Sequence, residues 1–282
     1  MRKSLITTAL LGALAAPSFV FAADSAPGVT VAYNVGLFSQ YIFRGLTQTD
    51  RGPAVQGGVD LTHSSGFYLG AWGTNISWLR DNYGSGGPAY SSGGRVELDL
   101  YGGYRYTFGS GVGIDLGALQ YVYPGSRDSE NFARANTTEL YGALSYGWVQ
   151  AKISTVVSKG AWTIGNYPTA VSGSKGAQGT YYAELNATIP VSDLIGAKDG
   201  AASGITGIAH IARQDFNAGS PNDLASYTDY KLGLQKSFSE GALNGVNVGG
   251  YWTYANTKDG PWTFAGRNIG DSTGTVFVQK TF

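Results

Sequence analysis

The most constraining feature of this sequence is an alternation of polar and apolar residues with a period of two, repeated along most of its length. In the stretch 95–106, Val96 and Leu98 fall on one face, while Glu97 and Asp99 fall on the other. Successive side chains of a β-strand point to opposite faces, so the pattern predicts a strand between two very different environments. Helical periodicity is scarce. No stretch beyond the N-terminal region approaches the 18 apolar residues of a transmembrane helix.

Twelve segments carry this alternation and are predicted as strands. A soluble β-sandwich turns its apolar faces inward, whereas a membrane barrel turns them outward toward lipid. The sum of the strands and their connections, rather than any single strand, decides between the two. The predicted strands are 29–43, 54–63, 67–79, 95–106, 112–123, 137–146, 148–157, 179–189, 205–214, 228–238, 246–255 and 273–282.

The lengths of the connections favour the barrel. Short turns at 64–66, 107–111 and 147 alternate with long loops rich in glycine, serine, asparagine and proline. This asymmetry is typical of outer-membrane barrels, and an even strand number places both chain ends at the short-turn, periplasmic rim. The connection 190–204 is unexpectedly long and is predicted to hold a small helix near 193–195. The long loops are 44–53, 80–94, 124–136, 158–178, 215–227 and 256–272.

The predicted fold class is therefore all-β: a closed antiparallel transmembrane β-barrel of about twelve strands, with short periplasmic turns and long extracellular loops. Composition agrees, since charged residues are 13% of the chain against about 25% in soluble proteins. The absence of cysteine excludes a disulfide scaffold and a thiolate zinc site. A formal charge of +0 argues against a nucleic-acid partner. No metal site or cofactor is predicted.

The N-terminal segment is predicted to be a targeting signal. Arg2 and Lys3 precede an apolar stretch over 5–16, and small residues near Ala22 fit cleavage after that residue. The apolar stretch is too short for a membrane anchor, which needs about 20 residues. The predicted organisation is a secretory signal peptide at 1–22 and an outer-membrane barrel domain at 23–282.

The polar faces of the strands would line the barrel interior, and His210 would join them. These side chains would act on solutes through electrostatics and size exclusion, or would only stabilise the wall through cross-strand pairs. Both interpretations stay open. The predicted pore-lining residues are Arg44, Asp60, Arg95, Glu97, Asp99, Arg105, Asp115, Glu139, Lys152, Glu184, Asp229 and Lys231.

Arg44 is the sharpest candidate among these residues. It is predicted to end the first strand at the outer rim. The following segment, 45–53, either folds inward as a constriction or forms a solvated loop. Because loops usually lie on the surface, the solvated loop is the favoured prediction.

The predicted function is passive diffusion of small hydrophilic solutes or ions through a narrow lumen, because twelve strands fall between a filled eight-stranded barrel and an open sixteen-stranded one. A non-conducting structural or adhesive barrel with a plugged lumen is the alternative, and a soluble periplasmic β-protein ranks behind it. An enzyme is not predicted. Neither His63, beside Ser64 and Ser65, nor His210 builds a catalytic triad.

Seven segments match the motifs of a known family. They are 41–50 (YIFRGLTQTD), 53–60 (PAVQGGVD), 64–73 (SSGFYLGAWG), 97–104 (ELDLYGGY), 123–125 (YPG), 139–141 (ELY) and 280–282 (KTF). Together they resemble the TorF-type porin family, most strongly in the first half of the mature chain and least over 158–178 and 190–204. The resemblance implies an outer-membrane barrel and a channel.

The chain end adds an expectation about partners. A terminal Phe282 resembles the sorting signal of bacterial outer-membrane proteins, whereas Lys280 departs from that general signal and is similar to this family's ending. The expected partners are outer-membrane lipids, the barrel assembly machinery through Phe282, and small solutes or ions. The expected location is the bacterial outer membrane.

Overall fold

The structure, a computed structural model, describes residues 28–81, 87–127, 133–165, 175–219 and 222–282. In these ranges twelve antiparallel strands form one closed barrel, in which each strand pairs with its neighbours in chain order. The strands are β1 (Val29–Phe38), β2 (Ala54–His63), β3 (Phe67–Asn75), β4 (Val96–Thr107), β5 (Val112–Val122), β6 (Thr137–Tyr146), β7 (Val149–Val156), β8 (Tyr181–Ile189), β9 (Ile205–Asp215), β10 (Tyr227–Ser237), β11 (Val246–Ala255) and β12 (Thr273–Thr281).

The first and last strands close the barrel. Phe38 pairs with Ala54 of β2 on one side and with Phe277 of β12 on the other. Closure pairs both edges of every strand, which is the condition for a sheet to cross a bilayer. The predicted strands agree with the observed ones to within a few residues, with one larger departure: β1 ends at Phe38 and not at residue 43.

The two faces of the barrel wall have opposite character. Outward leucines are largely exposed, for example Leu144 at 60%, whereas the inward carboxylates Glu97, Glu139 and Asp229 are each 1% exposed. A water-soluble protein has the reverse arrangement, so the outer surface is suited to lipid. The prediction that apolar faces point outward is confirmed. Further exposed outward side chains are Leu37, Leu69, Leu100, Leu116, Ile153, Leu185, Leu232 and Val276.

The connections lie at two different rims. The short-turn rim carries the start of β1, the end of β12 and the connection 190–204, where the predicted small helix is present at Val191–Leu194. The long-loop rim carries a second one-turn helix, Asp259–Trp262, and a 3₁₀ turn at Asn222–Ala225. No helix in the described part of the chain is long and apolar enough to cross a membrane.

The largest buried apolar cluster lies inside the barrel at its long-loop end. It is built from side chains of the long loops, such as Phe43, Trp78, Trp162 and Trp262, packed against inward strand residues such as Tyr121. Aromatic rings from several loops meet edge to face, as Trp78 does with Tyr123 at 5.6 Å between centroids. The loops therefore fill this end of the lumen.

Candidate functional site

The first long loop enters the barrel instead of leaving it. All residues from Gln40 to Thr49 are buried, and Ile42–Phe43 pairs with Leu46–Thr47 to form a small antiparallel hairpin. We call residues 40–49 the plug hairpin. Arg44 and Gly45 form its two-residue turn with φ of 47° and 78°, the conformation of a type I′ turn.

The plug hairpin corrects two predictions. Arg44 does not end a strand at the rim but lies at the hairpin tip inside the lumen, and the favoured solvated loop at 45–53 is wrong for 45–49. Ile42, Phe43 and Leu46 explain the difference, because burying these side chains inside the barrel removes apolar surface from water. The constriction, the other reading of this segment, is what the structure has.

Arg44 anchors the tip to the opposite wall. Its Nη2 donates to Glu139 Oε2 and its Nη1 donates to Gln214 Oε1, both at 2.8 Å. The guanidinium also lies 4.2 Å from the ring centroid of Tyr182 and 5.1 Å from that of Trp162. Burial alone lowers the pKa of Arg44, but the Glu139 carboxylate outweighs it, so the pKa lies above its ordinary value and the charge is kept.

Gly45 permits the tip to approach the wall. A Cβ atom at this position would lie 2.5 Å from Asp229 Cβ and 3.0 Å from Ala255 Cβ, closer than any side chain can fit. At the base of the hairpin, the Tyr41 hydroxyl donates to Glu97 Oε1 at 2.6 Å. The hairpin thus spans the lumen from the Glu97 side to the Asp229 side.

Two cavities lie on the two sides of the plug hairpin. The upper cavity, toward the long-loop rim, has a volume of about 440 Å³ and receives Phe43 and Leu46 from the hairpin. The lower cavity, toward the short-turn rim, has a volume of about 120 Å³ and receives Ile42 and Arg44. The hairpin is therefore the partition between them.

The lower cavity is lined by charged and polar groups. His210 Nε2 lies 3.1 Å from Asp229 Oδ1, and the Tyr182 hydroxyl donates to Asp229 Oδ2 at 2.9 Å. Glu184 lies 3.8 Å from both His210 Nδ1 and Lys152 Nζ. Acidic and basic groups converge here in a small volume, and fixed charges of this kind act on ions through electrostatics.

Tyrosines and carboxylates fill the wall opposite the lower cavity. The Tyr101 hydroxyl donates to Asp60 Oδ1 at 2.6 Å, and the Tyr68 hydroxyl donates to Asp115 Oδ1 at the same distance. Arg105 reaches Asp115 at 3.1 Å across β4 and β5. Here the charges act as cross-strand pairs that stabilise the wall, which was the second interpretation of the predicted lumen residues.

The sequence of this chain matches one family model over residues 22–282, described as bacterial protein of unknown function (Gcw_chp). The chain belongs to the Gcw_chp family. No curated protein gives a significant match to the sequence of this Gcw_chp member.

Solved structures with a similar fold include outer-membrane porins. One is titled KdgM porin, with 9% identity, 89% of this chain and 99% of that chain covered, and a TM-score of 0.47. A second is KdgM porin in complex with disordered oligogalacturonate, with 8% identity, 89% and 98% covered, and a TM-score of 0.45. Pseudomonas aeruginosa OccK5 (OpdH) has 12% identity, 91% and 68% covered, and a TM-score of 0.40. The assignment of the fold rests on the sheet topology of the chain itself.

Most predicted lumen residues of the Gcw_chp chain do face inward, but they fall into separate groups. Glu97 and Glu139 form a group that contacts the plug hairpin, and Asp99 lies beside it on β4 with 5% exposure. Arg95 is the exception: it precedes β4 at the long-loop rim and its side chain is exposed. Lys231 lies with its ammonium 5.1 Å from the Tyr251 ring centroid, near the lower cavity.

Sequence reasoning missed three residues that contact the side chain of Arg44. Gln214 and Tyr182 contact Arg44, and Trp162 packs over it from the loop after β7. The alternation of inward and outward residues on β8 and β9 predicts that Tyr182 and Gln214 face the lumen, so the sequence contained a signal for these two residues. Trp162 had none, because its position depends on a loop turn in which Trp162 and Thr163 have φ of 47° and 71°.

The candidate catalytic pair considered from the sequence lies at the short-turn rim. His63 Nδ1 and Ser65 Oγ are 2.6 Å apart, and the Ser65 backbone N–H donates to the same nitrogen at 3.2 Å. Both groups are exposed in a tight turn. The contact closes the turn between β2 and β3.

Proposed function

We propose that this Gcw_chp protein is an outer-membrane, porin-like channel for small hydrophilic solutes or ions, and that the plug hairpin controls passage. The observation that carries the proposal is the pair of cavities inside one closed barrel, separated by a hairpin whose tip is held by the side chain of Arg44. A barrel completely filled by side chains would not enclose a cavity on each side of the plug hairpin. Movement of the hairpin would join them.

The other candidate function is a non-conducting structural or adhesive barrel. The buried salt bridge between Arg44 and Glu139 favours it, because breaking a buried pair costs about 3–5 kcal/mol. A plug held in this way stays closed unless a solute, a partner or a charge change offsets the loss. The two candidates therefore differ in one property, the ability of the hairpin to leave the lumen.

The deciding experiment is single-channel recording on the refolded mature chain in a planar bilayer under a salt gradient. The key variant replaces residues 39–53 with Asn-Gly, since Phe38 pairs with Ala54 and a two-residue turn can join them. We expect small current steps from the native chain and steps several-fold larger from the variant, because the partition is gone.

The matched control replaces 190–206 with the same two residues, because Ile189 pairs with Gly207 at the opposite rim. Its conductance should equal that of the native chain. Heat-modified gel mobility shows whether each protein is folded. The channel proposal would be overturned if neither the folded native chain nor the folded hairpin-free variant gave current steps. That outcome would favour the structural barrel.

The topology in the membrane is part of the same proposal. Residues 1–22 would be a cleaved signal peptide, which lies outside the described residues, and 23–282 would form the barrel with its long loops outside the cell. Phe282 pairs with Tyr33 through two backbone hydrogen bonds and its side chain is 49% exposed. This exposure supports recognition by the barrel assembly machinery, and the apolar belt supports contact with outer-membrane lipids.

The TorF-type assignment also remains a proposal within the Gcw_chp family. The resemblance is strongest in the first half of the mature chain, and its segment 41–50 includes all of the plug hairpin except Gln40. We expect the inward hairpin to be a feature of proteins with this motif. Exchange of 41–50 for a neutral linker, followed by the recordings above, tests that expectation.

A further inference from the structure

The upper cavity differs from what a channel for hydrophilic solutes requires. Among its lining side chains in the described part of the chain, none is charged, and the polar ones are few. Seven of the described lining residues are aromatic: Phe43, Trp78, Trp162, Phe216, Tyr227, Trp262 and Phe264. Its volume of about 440 Å³ falls in the range of about 300–1,000 Å³ usual for small-molecule sites.

Two of the lining side chains carry hydrogen-bond donors without partners. The indole N–H groups of Trp78 and Trp162 are buried and have no acceptor among the described residues. The third lining indole, that of Trp262, donates to the Ala225 carbonyl oxygen at 2.8 Å. A buried unpaired donor destabilises a protein by about 1–3 kcal/mol, so a ligand whose acceptor oxygen reached either indole N–H would remove that cost.

The turn that carries Trp162 is strained. Thr163 has a φ of 71°, which is a rare conformation for a β-branched residue. The turn sets the Trp162 ring between Phe43 and Phe216, at centroid distances of 5.6 and 6.4 Å. Strain of this kind persists where the surrounding structure holds it and is found at binding sites.

Charge rules out an anion as the preferred occupant. Arg44 is a cation of the plug hairpin itself, but its side chain lines the lower cavity. Its two terminal nitrogens already donate to Glu139 and Gln214. A sugar is disfavoured for a different reason, since each hydroxyl that loses water needs a polar partner. Among the described residues, the upper cavity offers Gln48, Thr163, Gln214 and the hydroxyl of Tyr227 as its lining polar side chains.

We infer that the upper cavity is a binding site for a neutral, planar aromatic molecule with at least one acceptor oxygen, captured from the outside before it passes the plug hairpin. The inference deepens the proposed channel and rests on it only for the onward passage of the ligand. Binding itself needs no conduction, so the two can fail separately.

The test is saturable binding of 7-hydroxycoumarin, a planar aromatic molecule with a carbonyl oxygen. The pH is kept below the pKa of its hydroxyl, so that the molecule is neutral. Energy transfer from tryptophan to the coumarin reports binding in detergent, and empty micelles give the non-saturable partition. The other arms are 7-hydroxycoumarin-3-carboxylate as the anion and maltose as the sugar, used as competitors. We expect the neutral coumarin to bind most tightly.

The key variant is Leu224→Glu, which places a charge at the margin of the cavity. Leu224 is 49% exposed in a 3₁₀ turn, and Leu243, in a 3₁₀ turn at the opposite rim, is also 49% exposed. Leu243→Glu is therefore the matched control. We expect binding to weaken by about tenfold or more in Leu224→Glu, because the charge keeps water in the cavity, and to be unchanged in Leu243→Glu.

If Leu224→Glu does not fold, the uncharged variant Leu224→Gln replaces it. We then expect coumarin binding to weaken in the same direction but by less. The inference is wrong if the native chain shows no saturable binding, if both glutamate variants lose binding equally, or if maltose or the carboxylate binds as tightly as the neutral ring. Conduction without coumarin binding would leave the channel standing and overturn this inference. Binding without conduction would do the reverse.

Discussion

The two cavities are separated by a single hairpin, yet they have opposite chemistry. The described residues that line the upper one are mostly apolar, many of them aromatic, and uncharged, while the lower one is lined by Arg44, Glu184, His210, Asp229 and Lys231. The division follows the hairpin itself: Phe43 and Leu46 belong to the upper side, and Ile42 and Arg44 to the lower. A solute moving inward would meet apolar contact first and charge second.

Buried and partly solvated charges also have two different uses in this barrel. Arg44 is fully enclosed and holds the plug, whereas Arg105 has its side chain 46% exposed and pairs along the wall. Enclosed pairs are costly to break, and solvated pairs are worth little. The four predictions that follow test where charge controls the channel and where it only supports the wall.

The largest effect is expected from Arg44→Ala. Glu139 would then be left buried without its partner, which destabilises the closed arrangement by about 3–5 kcal/mol. The hairpin should leave the lumen, and the conductance should approach that of the hairpin-free variant. Arg51→Ala, in the exposed part of the same loop, is the control. Equal conductance of the two variants would contradict the anchoring role.

A smaller opening is expected from Gly45→Ala. Gly45 and Gly266 each occupy the second position of a two-residue turn with a φ of 78°. The backbone strain of an alanine, about 1–2 kcal/mol, is therefore shared by Gly266→Ala, which has no neighbouring atom within 4 Å of the new Cβ. Clash with Asp229 affects only Gly45→Ala.

Recording both glycine variants separates the clash from the strain. Conductance should rise in Gly45→Ala and stay at the native level in Gly266→Ala. An equal response of the two variants would contradict the role of the clash with Asp229 in opening the plug.

A moderate change in selectivity is expected from Lys231→Gln. This substitution removes a positive charge next to the lower cavity, where Glu184 and Asp229 remain. The reversal potential under a salt gradient should shift toward cation preference, because fixed charge sets the local ion concentration. Lys198→Gln, exposed in the connection at the short-turn rim, should leave it unchanged. A shift toward anions would exclude the lower cavity from the ion path.

The smallest effect is expected from Arg105→Ala. A partly solvated pair contributes about 0–1 kcal/mol, so unfolding in urea should move little and conductance should not change. Stability is read from the heat-modified gel shift across a urea series. A loss as large as that of Arg44→Ala would mean that the wall pairs and the plug anchor are energetically alike.

Much of the barrel could be read from the chain because the signal is local. In β4, the alternation of Leu98 and Leu100 with Glu97 and Asp99 depends only on the two-residue repeat of an extended backbone. The same repeat placed Glu139 and Asp229 inside. The small helix of the 190–204 connection was also predicted close to its observed position.

The site was less accessible to such reasoning. Arg44 was selected as a candidate, but its position at the tip of an inward hairpin depends on contacts with Glu139 and Gln214, which lie 95 and 170 residues away in the chain. The prediction that Arg95 lines the lumen was wrong for a local reason. The alternation was extended to residue 95, one residue before β4 begins. The aromatic cavity had no sequence signal because its rings come from several loops.

The sequence alone thus determined the strands to within a few residues, their number of about twelve and the face that most of their side chains occupy, since these follow from a repeat along one chain. Tertiary structure decided which loop enters the lumen and what it meets there. The plug hairpin is buried because the closed barrel provides an interior that only exists once β1 pairs with β12. Inside it, burying Phe43 and pairing Arg44 outweigh the solvation that a surface loop would keep.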